Sequence, residues 1–266
     1  MMDVREVHTG LGHPTARPAK AGIWGSKGLH YAFACCGLAT AVFFLIGLIA
    51  ADFLPPLPPH YTAERIAEHY EHHQTGIHVC SAFMMFAGTL WLPYTVVISD
   101  QLRRIPKIPW LLPTIQLASG IAGIIGFLLP GMVLGVAGLR IERDPEVFQL
   151  LNDMFWLFFV MPFQPFVFMT LAWAYAILID DREIPLYPKF MAVVNFVVAA
   201  MLFWSTAVHV ATRGPFSWNG ALGFWVPLAV FGLQLSGDTY FLLRAIHRDY
   251  LGEAEGVGSE GLSLKI

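Results

Sequence analysis

Apolar residues along this chain gather into six runs, 31–53, 77–99, 109–139, 147–179, 190–211 and 221–243, separated by short polar connections. Each run reaches the length of about 20 residues that a helix needs to cross a hydrocarbon core about 30 Å thick. Lipid offers backbone N–H and C=O groups no partner, so a segment that crosses it must pair them within itself, as a helix does. The pattern predicts an all-α fold, a polytopic membrane helix bundle with six transmembrane helices. Runs 3 and 4 are long enough to contain a break or a strong tilt.

The connection between runs 1 and 2 has a pattern of its own. Pro55, Pro56, Pro58 and Pro59 fix φ and favour an extended exit from the first run. Thr62 then reads as an N-cap with Glu64 in the first turn. Ala63, Ile66, Ala67 and Tyr70 recur at helical spacing opposite Glu64, Glu68, Glu71 and His72. A short amphipathic helix over 63–73, lying on the external surface, is predicted. Run 3 is rich in small residues, including Ala118, Ser119, Ala122, Gly123, Gly126, Gly131 and Gly135, which let helix backbones approach closely and mark it as a candidate centre of the bundle. Pro93, Pro130, Pro162, Pro165 and Pro227 lie inside runs and are expected to bend them.

The polar ends carry no periodicity. Residues 1–28 and 251–266 are expected to be disordered tails around a membrane domain over 29–250. The first apolar run begins only after about 30 polar residues and is full length, unlike a cleaved signal peptide. Cys35, Cys36 and Cys80 all fall in or beside apolar runs, where free thiols packing as small apolar groups are expected. Of 266 residues 56% are hydrophobic and 13% charged, which leaves little for a soluble domain. A net charge of −3 without a basic patch gives no reason to expect nucleic-acid binding.

Charge sets the expected orientation. With the N-terminus inside, 12 of the 16 Lys and Arg fall in inside segments, and Arg65, Arg140, Arg143 and Arg213 fall outside. The positive-inside rule therefore predicts an N-in/C-in topology.

Candidate chemistry is sparse. Five histidines lie between positions 60 and 78, and on a helix His69 and His73 share a face, as do Glu68 and His72. His69, His72 and His73 are accordingly candidate ligands for zinc or copper. His78 and His209 are expected at similar depth near the outer ends of spans 2 and 5, where two axial ligands of one haem would sit. Carboxylates in membrane spans are costly and mark function often. Asp153, beside Asn152, either meets outer water or Arg140 or Arg143, or lines a pocket opening outward with His78 and His209. Asp238 either pairs with Arg244 or Arg103 or faces a pocket. Gln116, Gln164, Asn195, Ser205 and Thr206 suit hydrogen bonds between helices or the lining of a polar pocket, the former preferred. The chain has no phosphate-binding loop, nucleophile elbow, H-E-x-x-H or C-x-x-C motif, and no mid-span lysine for a Schiff base.

The stretches 61–70 (YTAERIAEHY), 84–88 (MMFAG) with Leu92 and Pro93, 150–153 (LLND) with 161–165 (MPFQP), and 214–220 (GPFSWNG) with 224–227 (FWVP) together resemble a family of bacterial six-span integral membrane proteins without an established activity. The resemblance covers about residues 54–245, and it implies the bundle fold and the bacterial cytoplasmic membrane but no catalytic residue. Twenty-one Phe and ten Met, kinked spans and few catalytic-grade groups favour a non-enzymatic protein that binds or moves an apolar small molecule or lipid, with no cofactor. A haem- or metal-containing redox enzyme, and a structural subunit or oligomer within a membrane complex, are the competing classes.

Overall fold

The computed structural model describes residues 26–263, with side chains over 27–249. The tails expected at 1–28 and 251–266 lie almost wholly outside the residues whose side chains are described. All regular structure among the described residues is helical. Six helical segments are long and apolar enough to cross a membrane: Lys27–Ala50, Gln74–Arg103, Leu111–Leu139, Pro145–Ile179, Phe190–Val210 and Ala221–Asp249.

Span 1 is α1 (Ser26–Ala50), and the short α2 (Ala63–His72) precedes span 2, α3 (Gln74–Arg103). Span 3 divides into α4 (Leu111–Ala122) and α5 (Ile125–Leu139), and span 4 into α6 (Pro145–Val160) and α7 (Gln164–Ile179). Span 5 is α8 (Phe190–Phe203) continued by the tighter turns of Trp204–Val210. Span 6 opens with a wide turn, Ala221–Trp225, and continues as α9 (Val226–Ser263). Each span packs on the next, and α9 closes back on α1, so the six form a ring in chain order. Span 2 has the broadest packing, meeting α1, α4, α5 and α9 as well as α2, so the centre expected at span 3 is shared with it.

Local chemistry accounts for the ends and breaks. Asp52 takes a left-handed φ of 52°, a conformation Asp tolerates better than most residues, and ends α1 three residues before the apolar run does. The N–H groups of Ala51, Asp52 and Phe53 turn back to the carbonyls of Gly47, Ile49 and Leu48. Thr62 caps α2 by accepting the Arg65 N–H, and Glu64 sits in the first turn with its carboxyl held below the usual range by hydrogen bonds to its own backbone and to Thr62. Ile66, Ala67 and Tyr70 bury the apolar face of α2, chiefly against α6. In span 4, Pro162 departs from helical dihedrals (φ −73°, ψ 22°) and Pro165 starts the next helix. Span 3 breaks at Gly123, where a Cβ would stand 2.5 Å from the Phe166 ring. Lys189 Nζ donates to the carbonyls of Ile177, Leu178 and Asp180, closing the C-terminus of α7 with a charge of the favourable sign.

At the end of the bundle away from α2, Arg104 holds both Asp100 and Asp249 at 3.2 Å, and Asp100 also bonds His30 at 2.9 Å, which joins spans 1, 2 and 6. At the α2 end the tightest point is Gly76, where a Cβ would fall 1.8 Å from the Ala50 carbonyl oxygen. Gly76→Ala should therefore separate spans 1 and 2 and lower stability by about 3 kcal/mol or more, the upper end of overpacking costs. Gly126→Ala, whose Cβ would meet nothing nearer than 3.9 Å, should cost nothing. Thermal unfolding of both variants in detergent checks the contrast.

Candidate functional site

Five spans contribute to one cavity of about 150 Å³. Thr40, Ala41, Phe44 and Leu45 come from span 1, and Phe127 from span 3. Phe159, Val160 and Phe163 line it from span 4, and Leu202 and Ser205 from span 5. Span 6 supplies Gly223, Phe224, Pro227, Leu228, Phe231, Gly232 and Leu235. The cavity lies where spans 4, 5 and 6 leave regular α geometry, at Met161–Phe163, Trp204–Val210 and Ala221–Trp225. Phenylalanine rings fill only part of the space between the spans there.

The lining has no charge and no free donor. Thr40 Oγ1 donates to the carbonyls of Cys36 (2.9 Å) and Ala87 (3.2 Å), and Ser205 Oγ to that of Leu202 at 2.7 Å. A cavity of this size with such walls stays dry and admits a ring-sized apolar group. Its deep walls, Phe127, Val160, Leu202 and Phe224, are buried, whereas Leu45 and Gly232 at the rim are exposed. A Cβ on Gly232 would meet nothing within 4 Å. At 1.5 Å per residue, both rim positions lie roughly 8–17 Å inward from the α2 ends of their spans. The mouth therefore opens sideways, onto the apolar flank of the bundle between spans 1 and 6.

Phe231 and Leu235 also wall a second void of about 10 Å³, room for one water, beside Trp91, Tyr94, Trp173, Gln234 and Asp238. Asp238 is buried and faces span 5, where Asn195 Nδ2 lies 3.4 Å from its carboxylate and Gln234 Nε2 donates to Asn195 Oδ1 at 2.8 Å. Neither Arg244 nor Arg103 forms an ion pair with it among the described residues. Arg244 follows by six residues, about 240° around the helix, and is exposed on another face. Gln116 donates to Thr95 across spans 2 and 3, and Gln164 to Thr206 across spans 4 and 5. The intramembrane amides thus join helices, as preferred from the sequence.

None of Asp153, Asn152, His78 and His209 reaches the main cavity. Asn152 is buried under α2 and accepts from the Tyr70 hydroxyl at 3.4 Å. Asp153 next to it is half-buried, with no ion pair to Arg140 or Arg143 among the described residues. His78 is exposed against Gly138 of span 3. His209, also exposed, bonds the Thr206 carbonyl of its own turn. Spans 2 and 5 stand apart in the ring, so the structure does not bring this pair together as haem ligands would require. Of the three candidate metal ligands, His69 and His73 stack at 4.4 Å, while His72 is exposed with its ring centroid 6.3 Å from that of His73. Burial holds the His69 imidazole below its ordinary pKa, opposed by its hydrogen bond to the Ala51 carbonyl.

Sequence reasoning missed the cavity walls, because Phe44, Phe163 and Phe231 look like core residues at helical spacing. It also missed Asp52, which stands just inside the end of an apolar run. No protein-family model, curated protein or solved structure matches the chain, so the functional reading rests on this geometry.

The polar pocket makes its own prediction. Asn195→Leu strands the Asp238 carboxylate and the Gln234 amide, and Gln234→Leu strands an Asn195 oxygen, each costing about 1–3 kcal/mol. The double variant should lose less than the sum of the two, because both act on one network. Denaturant unfolding of the three variants in detergent checks this.

Proposed function

We propose that this multi-pass membrane protein binds an apolar small molecule, or the apolar end of a lipid, that enters the ring of spans sideways from the bilayer. The single observation that carries the reading is the cavity itself, uncharged, without a free hydrogen-bond donor, and open at Leu45 and Gly232 on the apolar flank. A polar or ionic substrate would lose its hydration there without a partner. An apolar group gains by contact with the ring faces of Phe44, Phe163, Phe224 and Phe231. No chemical step is assigned to the cavity, because none of its side chains serves as acid, base or nucleophile.

A photoactivatable diazirine fatty acid in lipid nanodiscs tests the proposal. Label should concentrate on peptides spanning 40–45 and 223–235. Gly232→Phe, which adds a ring into open space at the mouth, should cut that label about tenfold while leaving the unfolding temperature unchanged. Equal labelling of wild type and variant, or label spread evenly over all spans, would overturn it.

We further propose that α2 lies outside and both termini inside, in a bacterial cytoplasmic membrane. The support is the crowding of Lys and Arg at the end away from α2, together with the resemblance of the motifs. In a cysteine-free background, Arg143→Cys should react in whole cells with an impermeant thiol reagent and Ile184→Cys only after lysis. The reverse result would invert the topology.

A further inference from the structure

The joint between spans 1 and 2 gathers three metal-ligating side chains that the cavity does not use. Asp52 sits in the turn that closes α1, and His69 and His73 lie one helical turn apart where α2 ends and α3 begins. One ligand atom from each lies within 4.8 Å of the other two, and His73 Nε2 is 3.7 Å from Asp52 Oδ2. A tetrahedral ion with bonds of about 2.0–2.2 Å holds its ligand atoms roughly 3.3–3.6 Å apart, so small side-chain rotations complete the set.

The hydrogen bonds prepare the two imidazoles. His69 Nε2 lies 3.0 Å from the Ala51 carbonyl oxygen, so it carries the proton and leaves Nδ1 with the lone pair. His73 Nδ1 lies 3.0 Å from the His69 carbonyl oxygen, which leaves Nε2 as the lone-pair atom, and that atom faces Asp52. Each histidine thus has its second nitrogen on a backbone carbonyl, the support that metal-ligating histidines commonly have. Phe53 stacks on His69 at 5.5 Å and 13°, which fixes the ring plane. His72, exposed, stays outside the group.

The donor set narrows the ion. Magnesium and calcium favour all-oxygen sites and copper(I) favours thiolates, whereas two imidazoles and one carboxylate suit the borderline divalent ions zinc, iron(II) and copper(II), of which zinc imposes no geometry of its own. Asp52 is exposed at the end of the bundle, so water can reach a fourth position. We propose that Asp52, His69 and His73 bind one Zn²⁺, with water as the fourth ligand, and that the ion fastens the end of span 1 to the start of span 2.

Tag-free full-length protein, stripped with a chelator in detergent, is dialysed against Zn²⁺. One zinc per chain is expected, with a rise in unfolding temperature. His69→Ala and His73→Ala should weaken binding at least about tenfold and abolish the rise. His72→Ala should match wild type. Asp52→Asn keeps a residue that tolerates the left-handed turn, so its loss of affinity reports the carboxylate rather than a broken backbone. If either alanine variant fails to fold, Asp52→Asn alone decides. No stoichiometric zinc on wild type, or unchanged affinity in the folded variants among these three positions, would overturn the proposal.

Discussion

Hydrocarbon cannot solvate a backbone carbonyl, and that constraint governs how these spans can bend. A buried polar group without a partner costs about 1–3 kcal/mol, so every departure from regular helix needs a replacement donor. The replacements are visible. Where span 3 breaks, the Ile124 N–H bonds the Ile121 carbonyl in place of that of Gly120, and the Trp91 indole N–H takes up the Gly120 oxygen at 3.0 Å. Where span 5 tightens, Gln164 Nε2 donates to Leu202 and Phe203. In α5, Ser81 reaches across from span 2 to the Gly131 carbonyl at 2.7 Å. Trp91, Gln164 and Ser81 are therefore occupied with structure, whereas Gln101, the Tyr187 hydroxyl and the indole N–H groups of Trp156 and Trp173 are buried without a side-chain hydrogen bond among the described residues.

The same repairs create the cavity. Pro162 breaks span 4, Pro165 and Pro227 stand in the first turns of α7 and α9, and the break in span 4 packs against the tightened turns of span 5. Large rings then bridge the widened space: Trp91, Phe166 and Phe231 meet with centroids 5.1–6.1 Å apart. Phe159 and Phe163 continue the set toward the α2 end. Rings meeting edge to face leave gaps that aliphatic chains would fill, and the cavity lies among them beside Ala41 of span 1. A pocket built in this way is apolar by origin.

Much of the architecture was legible because periodicity and length are local signals. The span limits agree with the sequence pattern to within a few residues, and Thr62 marks the start of α2 as its hydroxyl chemistry demands. A break in span 3 was anticipated from its length, and that in span 4 from its length and from Pro162 and Pro165. The site was less legible, because sequence cannot say which face of a helix meets which neighbour. Asp238 was open between an arginine of its own end and a pocket, and only the packing of span 6 shows it beside Asn195 and a small void. His78 and His209 share an expected depth but belong to spans that ring closure keeps apart. Asp52 escaped notice because only the fold-back of α2 brings it to His69 and His73, positions separated from it by the proline-rich loop.

The fold also connects the two proposed sites. Phe53 follows Asp52 directly and packs on His69, on Phe155 and, at 5.5 Å, on Trp156. Trp156 in turn meets Phe224, a wall of the cavity, at 5.8 Å. Phe53, Phe155 and Trp156 are fully buried, so none of these rings can move without displacing its neighbours. A cation that drew His69 and His73 toward Asp52 would act on Phe53 first, through the ring stacked on His69. From Phe53 one path toward span 6 runs through Trp156 to Phe224, and another through Phe155, Phe159 and Phe163 to Phe231. Contact of this kind transmits a difference only if the ion and the apolar ligand favour different positions of the same rings. Spatial continuity makes such coupling sterically feasible, and the direction of any effect would follow from whether the contracted joint widens or narrows the space beside Phe224.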